Sequence, residues 1–300
     1  MTEATEGRGA PGSPGPSVVL VCSGLRPEEK MLRQAFVARG VELTVVDDRR
    51  IGGDLASWPS VIPVCDAVLL RSKSQWRNAV LAHWLESCGG RPVNSGQVIE
   101  TCGDKARTTI ALLAAEVATL SASIAFAPES GLAAAAEIGY PLVVKPVIGS
   151  WGRLIGKVND RDALELALEH KEAIGGAPHA VTYLQRFVET GGSDVRAFVI
   201  GDRCVAAITR RSTGWRTNTA LGASAEGREV DADLAATSVA AAHAVGGGMV
   251  AVDLFETSDG YQVNEVNATM EFRNSVDSTG VDIPGLMAAA VLGMCGGVHE

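Results

Sequence analysis

Apolar runs and polar punctuation set out the first third of the chain. Ser17–Cys22 is short and almost wholly apolar, the mark of a strand buried on both faces. Pro27 to about Arg39 reads as a helix that Gly40 ends, and Val41–Val46 as the next strand. Ala67–Leu70 is a further strand, followed by a helix from about Trp76 to Ser87. Strands that alternate with helices form a parallel sheet, so residues 18–95 are expected to be one α/β layer.

A helix is expected over Asp104–Glu116, then an apolar strand, Tyr140–Pro146, and a glycine-bearing hairpin from Gly149 to Val158. The helix Asp160–Ala173 carries acidic residues in its first turn, where the macrodipole favours them. Thr182–Val188 reads as a strand, and Val195–Ile200 pairs with Cys204–Thr209 about a Gly201-Asp202 turn. A polar segment, 211–231, comes next. Leu234 to Val252 then contains no Asp, Glu, Lys or Arg. Its Ala, Ser and Thr content, His243 and the glycines at 246–248 favour a helix followed by a buried strand over a membrane span. The last hairpin turns at Ser258-Asp259-Gly260. Counting outward from Asp259 sets Asp253 opposite Glu265, with Glu265 and Asn267 on the same face as Val263. Facing carboxylates destabilise a sheet, so a positive group is expected between them.

Composition narrows the classes. With 46% hydrophobic and 20% charged residues, the 300-residue chain is ordinary globular protein, and its net charge of −9 argues against general nucleic-acid binding. Residues 1–17 are rich in Gly, Pro, Ser and Glu and are expected to be a disordered tail rather than a signal peptide. Six scattered cysteines, the nearest pair being Cys88 and Cys102, give no zinc or redox spacing and suit reduced thiols in the cytoplasm.

Three groups carry candidate chemistry. Lys145 interrupts an apolar strand just ahead of Gly149-Ser150-Trp151-Gly152. It either snorkels at a strand end or meets phosphate beside a loop whose glycines admit close backbone contact. Asp253, Glu265 and Asn267 offer hard oxygen ligands for Mg²⁺ or Mn²⁺; alternatively Asp253 pairs with an arginine and Asn267 caps a turn. Arg196 and Arg210 can present planar forks to phosphate or carboxylate, while Arg203 and one of Arg210 and Arg211 also fit a solvated strand face. Phosphoryl transfer needs such a set: a phosphate cradle, a metal site and arginines for developing charge. The five histidines form no triad.

The order of these elements resembles the ATP-grasp superfamily and, within it, the RimK/LysX group of carboxylate–amine ligases. The resemblance runs from about Val18 to Leu292 and rests on Cys102–Lys105, Val143–Arg153, His170–Gly176, Val250–Glu256, Val263–Asn267, Met270–Ser275 and Thr279–Gly285. It implies an ATP-grasp fold of α/β and α+β lobes behind a Rossmann-like pre-ATP-grasp domain. The implied domains are 18–95, a central lobe 96–186 and a C-terminal lobe 187–300.

By the same resemblance, Lys105 and Lys145 would contact ATP, under a loop of Ser150, Trp151 and Gly152. Gln185, Arg186, Phe187 and Val188 would line the adenine pocket, and Asp194 would hold the ribose. Arg216, Thr217 and Asn218 would touch nucleotide, and Arg196 and Arg210 would face phosphate and acyl phosphate. Asp253, Glu265 and Asn267 would hold two Mg²⁺ ions, and Arg273, Asn274 and Ser275 would select the incoming amino acid. The acceptor implied is a small acidic amino-group carrier protein ending in glutamate. ATP would phosphorylate its terminal side-chain carboxylate, and the α-amino group of glutamate or α-aminoadipate would displace phosphate, in lysine, arginine or non-protein amino-acid synthesis.

The chain departs from the family at Arg186, where Glu is usual, at Leu221-Gly222-Ala223, where Arg-Gly-Gly is common, and at Ala268 beside the metal set. A cytoplasmic homo-oligomer without membrane or nucleic-acid contacts is expected, with a basic mouth of Arg71, Lys73, Arg77 and Arg216 for the carrier. The alternatives are a RimK-type glutamate ligase on another protein tail, a small-peptide ligase, or a nucleotide-binding regulator without turnover.

Overall fold

Four parallel strands begin the computed structural model, which describes residues 15–149, 154–176, 180–217 and 223–296. Strands β1 (Val18–Cys22), β2 (Thr44–Asp47), β3 (Ala67–Arg71) and β4 (Pro92–Val93) lie in the order β2-β1-β3-β4, all parallel. Helices α1 (Pro27–Val37) and α2 (Gln75–Ser87) cover opposite faces. Every residue of β1 and β3 is buried, which explains why their sequences are continuous apolar runs rather than alternating ones.

Helices α3 (Gly96–Gly103) and α4 (Lys105–Ala114) follow. Their Val98 and Leu112, with Val117, enter the core of the C-terminal sheet. Next come β5 (Ala122–Ala125), α5 (Pro128–Ile138), β6 (Leu142–Pro146), β7 (Gly156–Val158), α6 (Arg161–Ile174) and β8 (Thr182–Arg186). The strands form an antiparallel sheet, β5-β8-β6-β7, under α5 and α6. The hairpin expected at Gly149–Val158 is instead β6 paired with β7, and Gly149 belongs to their connection. Strand β5 is a short edge strand without alternation, and its pattern therefore predicted nothing.

The last unit has β9 (Ser193–Ile200), β10 (Arg203–Arg211), β11 (Ser224–Arg228), α7 (Ala232–Ala244), β12 (Met249–Thr257), β13 (Gly260–Asn267), α8 (Arg273–Thr279) and α9 (Ile283–Cys295). Its sheet runs β11-β10-β9-β12-β13 and is antiparallel throughout. The charge-free stretch from Leu234 is α7 running into β12. Among the described residues no single helix is long and apolar enough to cross a membrane.

The two faces of this sheet divide the labour. Val195, Ala197, Val199, Val250, Val252 and Leu254 pack under α7. On the other face Phe198, Ile200, Ala206, Ile208, Met249 and Ala251 meet α1 and α9, which lie between this sheet and the parallel one. Continuing along that second face, the same strands present Arg196, Arg210 and Asp253, so one face is apolar at one end and charged at the other.

Candidate active site

The β12–β13 hairpin pairs Asp253 with Glu265, but not by the simple count from its tip. The turn residues are Ser258 and Asp259, with Thr257 opposite Gly260. That register alone would slip the pair by one residue. A bulge at Asn264 restores it: Leu254 pairs with Val263, then Asp253 with Glu265. The bulge also corrects the expected face. Val263 and Val266 are both buried in the α7 core, whereas Asn264, Glu265 and Asn267 line the cleft on the other side.

Positive charge does meet Asp253, and it is arginine. Arg196 grips the carboxylate with both forks, Nε to Oδ1 at 2.6 Å and Nη2 to Oδ2 at 2.7 Å. Arg210 adds Nη2 to Oδ2 at 3.1 Å and holds Asp194 by a second fork, at 2.7 and 2.5 Å. Thr217 donates its hydroxyl to the same Asp194 at 2.5 Å. Burial alone would raise the Asp253 carboxyl, but Arg196 and Arg210 outweigh it and hold the group well below the usual carboxylate range. Asp194, expected on the ribose, thus spends both oxygens on Arg210 and Thr217.

Asn267 directs Nδ2 toward Asp253 Oδ2 at 3.5 Å and Glu265 Oε1 at 3.4 Å. Two carboxylates and a carboxamide therefore converge, and a carboxamide turned about its last bond offers a third oxygen. This all-oxygen donor set fits a hard divalent cation.

Lys145, on β6, is buried and has no carboxylate within hydrogen-bonding distance among the described residues. Its Nζ donates to two carboxamides, Gln185 Oε1 at 2.5 Å and Asn264 Oδ1 at 3.0 Å. Burial pulls the ammonium down to about 8, only partly opposed by Glu265 and Asp253. Such an uncompensated, oriented cation is ready for an anion. Lys105 caps the same space, tied by Nζ to the Gly149 carbonyl at 2.9 Å. Val143, Ile155, Phe187, Val188 and Phe255 form an apolar slot beside these two lysines, with the Phe187 and Trp215 rings edge to face at 6.2 Å. Gln185, Arg186, Asp194, Arg216 and Thr217 line it as well; Ser150, Trp151, Gly152 and Asn218 lie outside the described residues.

A second recess meets this slot at Lys105, Arg210 and Glu265 and leads on to Arg273, Asn274 and Ser275. The first domain fixes its wall. Arg71 is not part of an open docking mouth; it is 3% exposed, with Nε on Glu29 at 2.7 Å and Nη2 on the Met270 carbonyl at 3.0 Å. Arg26 joins it on Glu29 and reaches Glu271 at 3.5 Å. Asn94 pins both ends of the hairpin base, through Met249 and the Ala268 carbonyl. Sequence patterning missed Asn264, because a bulge leaves no periodic trace, and set Arg71 in an open mouth, because a buried interdomain arginine looks like any other.

The sequence matches a RimK-like ATP-grasp domain over residues 102–291 and a LysX pre-ATP-grasp domain over residues 18–101. It is 30% identical over 269 residues to the glutamate–LysW ligase ArgX of Sulfurisphaera tokodaii, covering 89% of this chain and 94% of that one. The α-aminoadipate–LysW ligase LysX of Saccharolobus solfataricus is 35% identical over 213 residues, 70% of this chain and 78% of the relative. Among solved structures, a RimK domain ATP-grasp protein from Sphaerobacter thermophilus superposes with a TM-score of 0.77 at 31% identity, over 92% of this chain and 99% of that one. With a slot lined by two lysines between two antiparallel sheets and a parallel domain walling the second recess, the chain belongs to the RimK-like ATP-grasp family and carries a LysX-type pre-ATP-grasp domain ahead of it.

Proposed function

We propose that this ATP-dependent C–N ligase phosphorylates the terminal side-chain carboxylate of a small acidic amino-group carrier protein and joins it to the α-amino group of glutamate or α-aminoadipate. The observation that carries the reading is the meeting of two recesses at Lys105, Arg210 and Glu265. One recess suits a nucleotide, the other a carboxylate and an amine. The LysW named for the relatives supplies the class of acceptor.

In this reading Lys145 and Lys105 orient the phosphates, and the Phe187–Trp215 slot takes the base. Asp253, Glu265 and Asn267 would hold Mg²⁺, which would neutralise phosphate charge there. Arg210 and Arg196, fixed by their carboxylates, face the acyl phosphate without reorganising, which is how preorganised cations stabilise developing charge. Asp194 and Thr217 serve by holding the Arg210 fork. The first domain closes the amine side, and the enzyme acts in the cytoplasm as a homo-oligomer. Incubation with ATP, Mg²⁺, the LysW-type carrier of the same genome and each amino acid, read by mass, tests this. One residue mass added to the carrier, with ADP released, is expected. Addition to another acidic tail but not to the carrier refutes the carrier assignment and favours the RimK-type alternative.

A further inference from the structure

Glu28 is a carboxylate that the chemistry above leaves unused. It stands in the first turn of α1 and is only 4% exposed, yet it makes no hydrogen bond or ion pair within the described residues. Its neighbour Glu29 is held by Arg26 and Arg71, and Arg26 by Glu29 and Glu271. A first-turn carboxylate gains from the helix dipole, but Glu28 accepts no backbone N–H there, so capping does not explain its burial. What it does is line the second recess, with Lys73, Arg273, Arg196 and Arg210. Arg196 and Arg210 are already paired with Asp253 and Asp194, whereas Lys73 and Arg273 have no acidic partner among the described residues. Beyond Lys105 and Glu265, which stand at the junction with the slot and serve phosphate and metal in the proposed function, the unpaired charges facing this recess among the described residues are two cations and one anion.

A dicarboxylic amino acid is the mirror of that set, with two carboxylates and one ammonium. Resting on the function proposed above, we infer that Glu28 receives the α-ammonium of the incoming amino acid, while Lys73 and Arg273 take its two carboxylates. Glu28 would thus be a specificity-determining residue supplied by the first domain, and its carboxylate, which faces the recess without a hydrogen bond from the described residues, would gain a charged partner when the amino acid binds. Calorimetric titration of L-glutamate and of glutarate, which lacks the amino group, into enzyme saturated with Mg²⁺ and ADP tests this. Wild type should bind L-glutamate about ten- to a hundredfold more tightly, the range for a hydrogen bond to a charged group. Glu28→Gln should bring the two ligands within about threefold while ADP affinity is unchanged, and Glu28→Asp should restore the preference. Lys73→Met should weaken both ligands alike and keep their ratio. Glu28→Gln that still prefers L-glutamate as wild type does overturns the assignment of Glu28 and leaves the ligase reading intact. Wild type that binds neither L-glutamate nor L-α-aminoadipate overturns the acidic amino-acid reading itself.

Discussion

Lys145→Met should flatten the alkaline rise in the stability of the nucleotide-free protein. The lysine falls from its ordinary 10.5 to about 8 on folding, so the unfolded chain binds its proton more tightly than the folded one. The sign follows: the folded state carries a penalty below pH 8, and the penalty fades as pH rises toward the unfolded value. Weighing the two protonation equilibria gives a penalty of about 3 kcal/mol at pH 7 and about 1 kcal/mol at pH 10. Little solvent screening applies, because Lys145 is only 7% exposed. Urea denaturation of wild type and Lys145→Met at both pH values isolates the effect, since other titrating groups cancel in the difference. Relative to the variant, wild type should gain roughly 2 kcal/mol between pH 7 and pH 10. The lost bonds to Gln185 and Asn264 add a pH-independent offset and do not alter the slope. Parallel pH curves for the two proteins would refute the buried, uncompensated cation. Nucleotide should act oppositely: phosphate favours the ammonium, so wild-type ATP affinity should fall above pH 8.

Four other substitutions have defined outcomes. Glu265→Gln should cut ADP formation by at least about a hundredfold with unchanged melting temperature, whereas Asp253→Asn should also destabilise the fold by about 3 kcal/mol, because it strips Arg196 of its carboxylate partner and Arg210 of one of two; calorimetry beside a turnover assay separates them, and a fully active Glu265→Gln would remove the metal role. Asn264→Leu should raise the KM for ATP about tenfold with little change in the KM for the amino acid, since it frees one side of the Lys145 ammonium; an equal rise in both would point to general disorder of the hairpin. Arg71→Met should cost about 1.5–3 kcal/mol in denaturant unfolding by removing one of the two arginines that hold the buried Glu29, and a loss under 1 kcal/mol would show that Arg26 alone suffices.

The parts legible in the sequence were those with a period or a punctuation mark. Continuous apolar runs gave β1 and β3, Gly201-Asp202 gave the β9–β10 hairpin, and the glycines at 246–248 separated α7 from β12. The polar edge strand β11 was passed over as a segment because its residues alternate with no apolar face. In the site, the Asp253–Glu265 pairing was reached through a count that the real turn does not obey and that the Asn264 bulge compensates. The partners of the arginines were hidden for another reason: Asp194, Arg196, Arg210 and Asp253 lie on three strands, and only the sheet register of β9 brings them together.

The sheet face that is apolar at one end and charged at the other also bears on how such enzymes can be recombined. Phe198 and Ile208 dock the first domain two residues along the backbone from Arg196 and Arg210. A shift in that dock is passed along rigid strands to the guanidinium forks. Grafting the first domain of one relative onto the grasp of another should therefore spoil turnover even where every catalytic residue is retained. Chimeras that carry Phe198, Ile208, Ala251 and the α9 seat across with the donor domain should recover it. The exchangeable unit is a domain together with its half of the neighbouring sheet.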